Sequence, residues 1–213
     1  MRLSSIVAIA SVLSIGVSAA PSHNSSDVEA RWPWSKSQIS FAGCTKDQES
    51  QLKAAVKQAN KYISDSTKYL TKLSKSGRPT PRYTTWFGRF SEVKVEKVLE
   101  NFKEIGDNPS RMTYDCSPTD TSRCTPTTCA YVNSLKSDRV NLCPLFWTRP
   151  TSGSQSQAGI IVHEFTHFLE YGGTKDHKYS HTECMALAAS DPAKAITNAN
   201  NYPFFAENTP RLS

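Results

Sequence analysis

The sequence predicts an α+β domain that is mainly helical, with a small β-sheet or hairpin beside its central helix. Apolar residues recur at helical spacing over 45–73, 91–105 and 158–169. Between them, three short runs at 112–116, 130–132 and 139–142 are separated by Ser, Thr, Pro and Asp, the signature of brief strands.

From the start of the chain, Met1-Arg2 is a basic opening, 6–17 is an apolar stretch and Val17-Ser18-Ala19 is a small-residue cleavage site, so 1–19 reads as a signal peptide. The stretch is too short to span a bilayer and no later run reaches about 18 consecutive apolar residues. A secreted, extracellular product with no membrane partner is expected. Residues 20–38 lack periodicity and read as a short pro-segment or N-terminal arm. They carry a glycosylation acceptor, Asn24-Ser25-Ser26, and two tryptophans, Trp32 and Trp34, expected to pack on the domain. The remainder, 39–213, suits one domain with a sizeable core, expected to be monomeric.

Thr45-Lys46-Asp47-Gln48 is a capping box that opens a helix with Leu52, Ala55, Val56, Ala59, Tyr62, Ile63, Leu70 and Leu73 on one face. Residues 77–81 break it, 83–90 is aromatic, and a second helix over 91–105 turns Val95, Val98, Leu99, Phe102 and Ile105 inward before Gly106 stops it. Towards the end, Ser180-His181-Thr182-Glu183 is another capping box, and Asp191-Pro192 opens what reads as the last helix.

The chain carries 25 Lys and Arg against 19 Asp and Glu, a formal charge of +6, of which Arg2 leaves with the signal. These cations are scattered and not interleaved with stacking aromatics, which argues against a nucleic-acid partner. Six cysteines, all after the signal, imply three disulfides in an exported chain.

The run 158–169 contains His163-Glu164-Phe165-Thr166-His167. On a helix, residues four apart lie one turn above each other, so both imidazoles meet at one point with Glu164 beside them. That is a zinc site with its own base, and it requires a third ligand and an open fourth position. Ile161, Val162, Phe165, Phe168 and Leu169 form the buried face, and Gly172-Gly173 ends the segment. A third histidine six residues after His167 is absent, since Gly173 stands there. Glu183 is engaged in its capping box, His177 and His181 are rivals better read as outer or solvent-facing groups, and Asp176 is the best-placed oxygen ligand.

With these motifs the chain resembles the aspzincin metallopeptidases, that is deuterolysin and above all the fungal peptidyl-Lys metalloendopeptidase branch. The resemblance runs from Phe41-Ala42-Gly43-Cys44 to the C-terminus. It passes through Thr80-Pro81-Arg82-Tyr83-Thr84-Thr85-Trp86-Phe87-Gly88, Leu142-Cys143-Pro144-Leu145-Phe146-Trp147, Gly172-Gly173-Thr174-Lys175-Asp176-His177-Lys178-Tyr179 and Asn198-Ala199-Asn200. It implies a zincin-like metallopeptidase domain over 39–213, acting on protein or peptide substrates with one zinc ion per chain. His163, His167 and Asp176 would be the ligands, Glu164 the base and Tyr179 the phenol supporting the oxyanion. It also implies a Cys44 to Cys116 bridge, with Cys143 joined to Cys124 or Cys129 and Cys184 taking the one left over.

Two departures stand out. Tyr179-Ser180 replaces the family's Tyr-Gly, and the two acidic positions that hold a substrate lysine in the Lys-directed branch align with Asn200 and Pro203. A lysine without a paired anion is costly to desolvate, so these substrate-binding positions imply an endopeptidase with broadened preference on the primed side. The alternative is a secreted, weakly active or non-catalytic peptidase-like binding protein or effector.

Overall fold

A computed structural model describes residues 38–213. The signal at 1–19, Asn24, the two tryptophans and the rest of the arm through 37 fall outside the described residues.

The longest element is α1, Lys46–Ser76, 31 residues or about 46 Å at the helical rise. It starts at the Thr45 capping box as the sequence predicts and ends on Gly77 in the left-handed conformation. Leu52, Ala55, Val56, Ala59, Ile63, Leu70 and Leu73 are buried, while Tyr62 is partly so. Across this face packs α3, Glu92–Ile105, with Val95, Val98, Leu99, Phe102 and Ile105 inward. Between them α2, Pro81–Phe87, occupies the aromatic stretch. Its Thr80 hydroxyl accepts from the Tyr83 N–H, with Pro at the first turn where no donor is missed.

The sheet is four-stranded, in the order β1, β2, β4, β3. β1 (Ser40–Ala42) and β4 (Arg139–Leu142) run parallel to β2 (Thr113–Asp115), and β3 (Ala130–Val132) closes the edge antiparallel to β4. Three strands coincide with the predicted runs. β1 is an addition, too short for an alternating pattern to register. Cys44–Cys116 joins the ends of β1 and β2, and Cys124–Cys143 ties the loop before β3 to the end of β4.

The third expected bridge is absent. Cys129 and Cys184 are free. Cys184 is buried on a later helix with the Asn198 amide 3.3 Å away, whereas Cys129 sits at the start of β3, where its carbonyl accepts from the Cys143 N–H at 2.9 Å. The two belong to different walls of the domain.

The histidine-bearing helix α4, Gln157–His167, lies against α1 and β3, with Ile161, Val162 and Phe165 fully buried. Leu169 corrects the predicted face, being 62% exposed. The helix stops at His167, Phe168 takes an extended ψ of 134°, and the 3-10 turn Leu169–Tyr171 points Leu169 outward. α5 (His181–Ser190) and α6 (Pro192–Ala195) follow the expected caps, but α6 is not the last helix.

α7, Asn201–Glu207, comes after it with every residue buried. A seven-residue helix buried on all sides shows no apolar stripe of 3.6-residue rhythm to read. It is clamped by Arg82, whose guanidinium donates twice to the Phe205 carbonyl at 2.7 and 3.0 Å and lies between the Tyr69 and Phe205 rings. Phe87, Phe102, Tyr202 and Phe205 form the aromatic centre that α2, α3 and α7 share.

Candidate active site

A cleft of about 890 Å3 separates α4 and α7 from β3 and the loop before it. α4 brings His163 and His167 to its floor, and Asp176 arrives from the following loop. Nε2 of His163 lies 3.1 Å from Nε2 of His167, and Oδ1 of Asp176 lies 3.4 and 3.5 Å from them. Three donors on a tetrahedral zinc, each about 2.0–2.1 Å from the ion, stand about 3.3–3.4 Å apart, so this triangle fits the ion. His167 Nδ1 sits 2.9 Å from the Thr174 carbonyl, which can only accept, so that nitrogen carries the proton and Nε2 keeps its lone pair. Burial first, then the cost of a second positive imidazole beside His167, push His163 down to about 3 against a smaller opposing pull from the Asn200 side chain, so it is neutral near pH 7. The Nδ1 of His163 is buried without a partner, so its Nε2 can either donate to the Nε2 of His167 or, with the proton on Nδ1, turn a second lone pair on a cation held between the two rings.

The loop carrying Asp176 is built with care. Gly172 takes φ 130°, and a Cβ there would meet the Asn101 amide at 2.5 Å, so glycine alone lets the chain double back over α3. The Thr174 N–H donates to the Thr166 carbonyl and the two threonine hydroxyls pair at 2.7 Å. Asn198 then pins the far side: its Oδ1 accepts from the His177 and Lys178 N–H groups, and its amide donates to the Lys178 carbonyl. Lys175 and Asn198 form a parallel bridge. Neither rival histidine joins the triangle. His177 points to Thr197, and His181 stacks on Phe204 with ring centroids 3.9 Å apart.

Glu164 lies beside the triangle, 3.9 Å from His163 Nε2 and 4% exposed. Burial first, then the neighbouring Asp176, pushes its carboxyl up to about 8, against a smaller opposing pull from Arg123. Tyr179 lines the same cleft with an exposed side chain, its phenol raised by burial and by Asp176. Asn200 and Pro203 line it as well, and the Asn200 amide donates to the Lys178 carbonyl at 3.1 Å.

The sequence offered no sign of Arg123 and Arg149 in the cleft, because neither belongs to a motif and both arrive by loop folding. Glu207 also lines it, held beneath the start of α4. Its carboxylate accepts from the Ser156 N–H and hydroxyl, each at 2.9 Å, and from the Gln155 N–H at 3.0 Å. A side chain on Gly159 would fall 2.1 Å from Glu207 Oε1. Gln155 holds a left-handed φ of 52° to make its contact.

The profile of the aspzincins, described as lysine-specific metallo-endopeptidase, matches residues 72–207. Peptidyl-Lys metalloendopeptidase from Pleurotus ostreatus is 40% identical over 174 residues, covering 81% of this chain and 99% of that protein. An extracellular protease from Aeromonas hydrophila is 38% identical over 175 residues, covering 81% of this chain but 48% of that protein. Among solved structures, a zinc peptidase from Grifola frondosa superposes with a TM-score of 0.73 at 38% identity, over 80% of this chain and all of the other. Profile, sequence and fold agree over the segment that carries the two histidines and the aspartate, and on that basis the chain belongs to the aspzincin family of zinc metalloendopeptidases.

Proposed function

We propose that the protein is a secreted, monomeric endopeptidase that works with one zinc ion per chain, held by His163, His167 and Asp176. The observation that supports this most is the triangle of donor atoms, with edges of 3.1 to 3.5 Å, around the point both imidazoles face. When bound, zinc supplies Lewis acidity and lowers the pKa of a coordinated water toward roughly 7. Glu164 takes the proton from the attacking water and returns it to the leaving amine, a task suited to a buried carboxylate 3.9 Å from His163 Nε2 beside the donor triangle. Tyr179, its pKa raised, keeps its proton and donates to the developing oxyanion. β3 pairs with β4 on one side only and lines the cleft, so its other edge offers backbone donors and acceptors to an extended peptide. The signal at 1–19 and the segment at 20–38 would be removed on the way to a mature 39–213 domain.

The preference on the primed side is broadened. Asn200 and Pro203 offer no charge, and the Glu207 carboxylate is already engaged by three hydrogen bonds from the start of α4, which weakens its hold on a substrate ammonium. Zinc content near one per chain with chelator-sensitive casein cleavage is the expected result. A folded, zinc-loaded sample without turnover would instead support a peptidase-like binding protein. Sequencing the fragments checks the preference: cuts confined to the amino side of lysine would overturn it.

A further inference from the structure

The cleft is lined by cations whose partners are uncharged, the Cys129 thiol beside Arg149 and the Tyr131 ring beneath Arg123. Arg123, Arg149 and Lys175 all face the cleft, and none takes part in an ion pair among the described residues. The cleft's own carboxylates are committed elsewhere, Asp176 and Glu164 around the histidines and Glu207 to the start of α4. The backbone at Arg149 is held firmly. Its N–H donates to the Phe146 carbonyl, and the next two carbonyls, of Pro150 and Thr151, accept from the Gln157 and Ala158 N–H groups of α4. That places it at the end of α4 under which Glu207 packs, and Pro203 lies on the same helix as Glu207. Arg123 approaches from the rim, its guanidinium 4.5 Å from the centre of the Tyr131 ring.

Building on the peptidase reading, we propose that the cleft selects substrates with an aspartate or glutamate side chain on the primed side of the scissile bond. Arg149 is the specificity-determining residue, and Arg123 adds attraction from the rim. A guanidinium presents a planar fork of N–H donors that matches a carboxylate, whereas a substrate lysine would meet like charge and, as its acid, only the Glu207 carboxylate already engaged at the start of α4. Exposed cations act through a screened field, so the preference weakens with salt.

The experiment compares kcat/KM of the zinc-loaded protein on three peptides identical except for Glu, Ala or Lys after the scissile bond. The Glu peptide is expected to exceed the Lys peptide at least about tenfold, with the ratio shrinking as salt rises from about 0.05 to about 0.5 M. In R149E the ratio of Glu to Lys should invert, in R149Q it should fall toward unity, and R149K should restore part of it. A wild-type preference for lysine, or a ratio that R149E and R149Q leave unmoved, overturns the proposal, and the wild-type ratio decides even where a variant fails to fold. Cleavage of the Ala peptide with no Glu preference sinks this inference alone. Failure to cut any of the three, or casein, removes the peptidase reading and this inference together.

Discussion

On one side of the cleft stand α4 and α7, on the other β3 and the loop that precedes it, and the two walls are held by different physics. The helical wall is fixed by burial: Ile161, Val162, Phe165 and Phe205 are wholly inaccessible, and Asn201 reaches the carbonyls of Trp86 and Cys184 from within the core. All three donor atoms of the His163, His167 and Asp176 triangle rest on this wall or on the loop that Asn198 ties to it. The strand wall has three-residue strands, and the loop over 117–129 is largely exposed. Segments that short bury too little apolar area to hold themselves, and here two disulfides hold them. On the proposed reading, chemistry that needs sub-ångström placement sits where packing is dense, and the residues proposed to meet the substrate's side chains sit partly where it is not.

Substitution at the catalytic floor should break this contrast least in structure and most in rate. Glu164→Gln is expected to keep zinc and the melting temperature of the holoenzyme while lowering kcat/KM by roughly 10^3 to 10^4. Hydrolysis retained at the wild-type rate would remove Glu164 from the base role. The strand wall should respond the opposite way. Replacing Cys124 and Cys143 by serine opens a loop with a sequence separation of 19 and should cost about 3 kcal/mol in chemical unfolding, with the zinc content unchanged. Loss of zinc in that variant would mean that the two walls are not independent. Between these lies Tyr179, exposed but close to the triangle. Tyr179→Phe should reduce kcat about 100-fold with KM nearly constant, since a donor to the oxyanion acts only in the transition state.

The smallest effect concerns the helical wall without its metal. Glu164, raised to about 8, favours folding in its neutral form; the stability tied to it is complete below the unfolded value near 4.3 and is lost as pH rises through about 8. His163, lowered to about 3, works in reverse, its contribution complete above the unfolded value near 6.5 and lost as pH falls toward 3. The two slopes oppose each other between about pH 4.5 and 6.5, leaving a net decline in stability as pH rises from about 6.5 toward 8. Unfolding of the chelated protein across this range measures it. Glu164→Gln should abolish the decline and expose a rising limb below about pH 6.5, and an unchanged profile would contradict the burial that sets both shifts.

Much of this could be read from the chain because it depends on neighbours in sequence. The capping boxes at Thr45 and Ser180, the apolar faces of α1 and α3, three of the four strands and the pairing of His163 with His167 are consequences of local geometry, in which spacing alone decides who faces whom. The same logic ran past its range at Leu169, where a helix that ends two residues early turns an apolar residue outward. It failed as well for β1, α2 and α7, which are too short or too uniformly buried to show a period.

Tertiary structure alone decided the rest. Whether six cysteines make three bridges or two depends on distance between segments far apart in the chain, and it leaves Cys129, next to β3, and Cys184, on α5, unpaired. Glu207 became a support for the start of α4 because α7 folds back beneath it. Arg123 and Arg149 entered the cleft by the folding of two loops that no motif marks. Periodicity and caps are settled within a few residues by backbone hydrogen bonds and side-chain direction, whereas the charge of a cleft is the sum of groups brought together by packing, which no local rule contains.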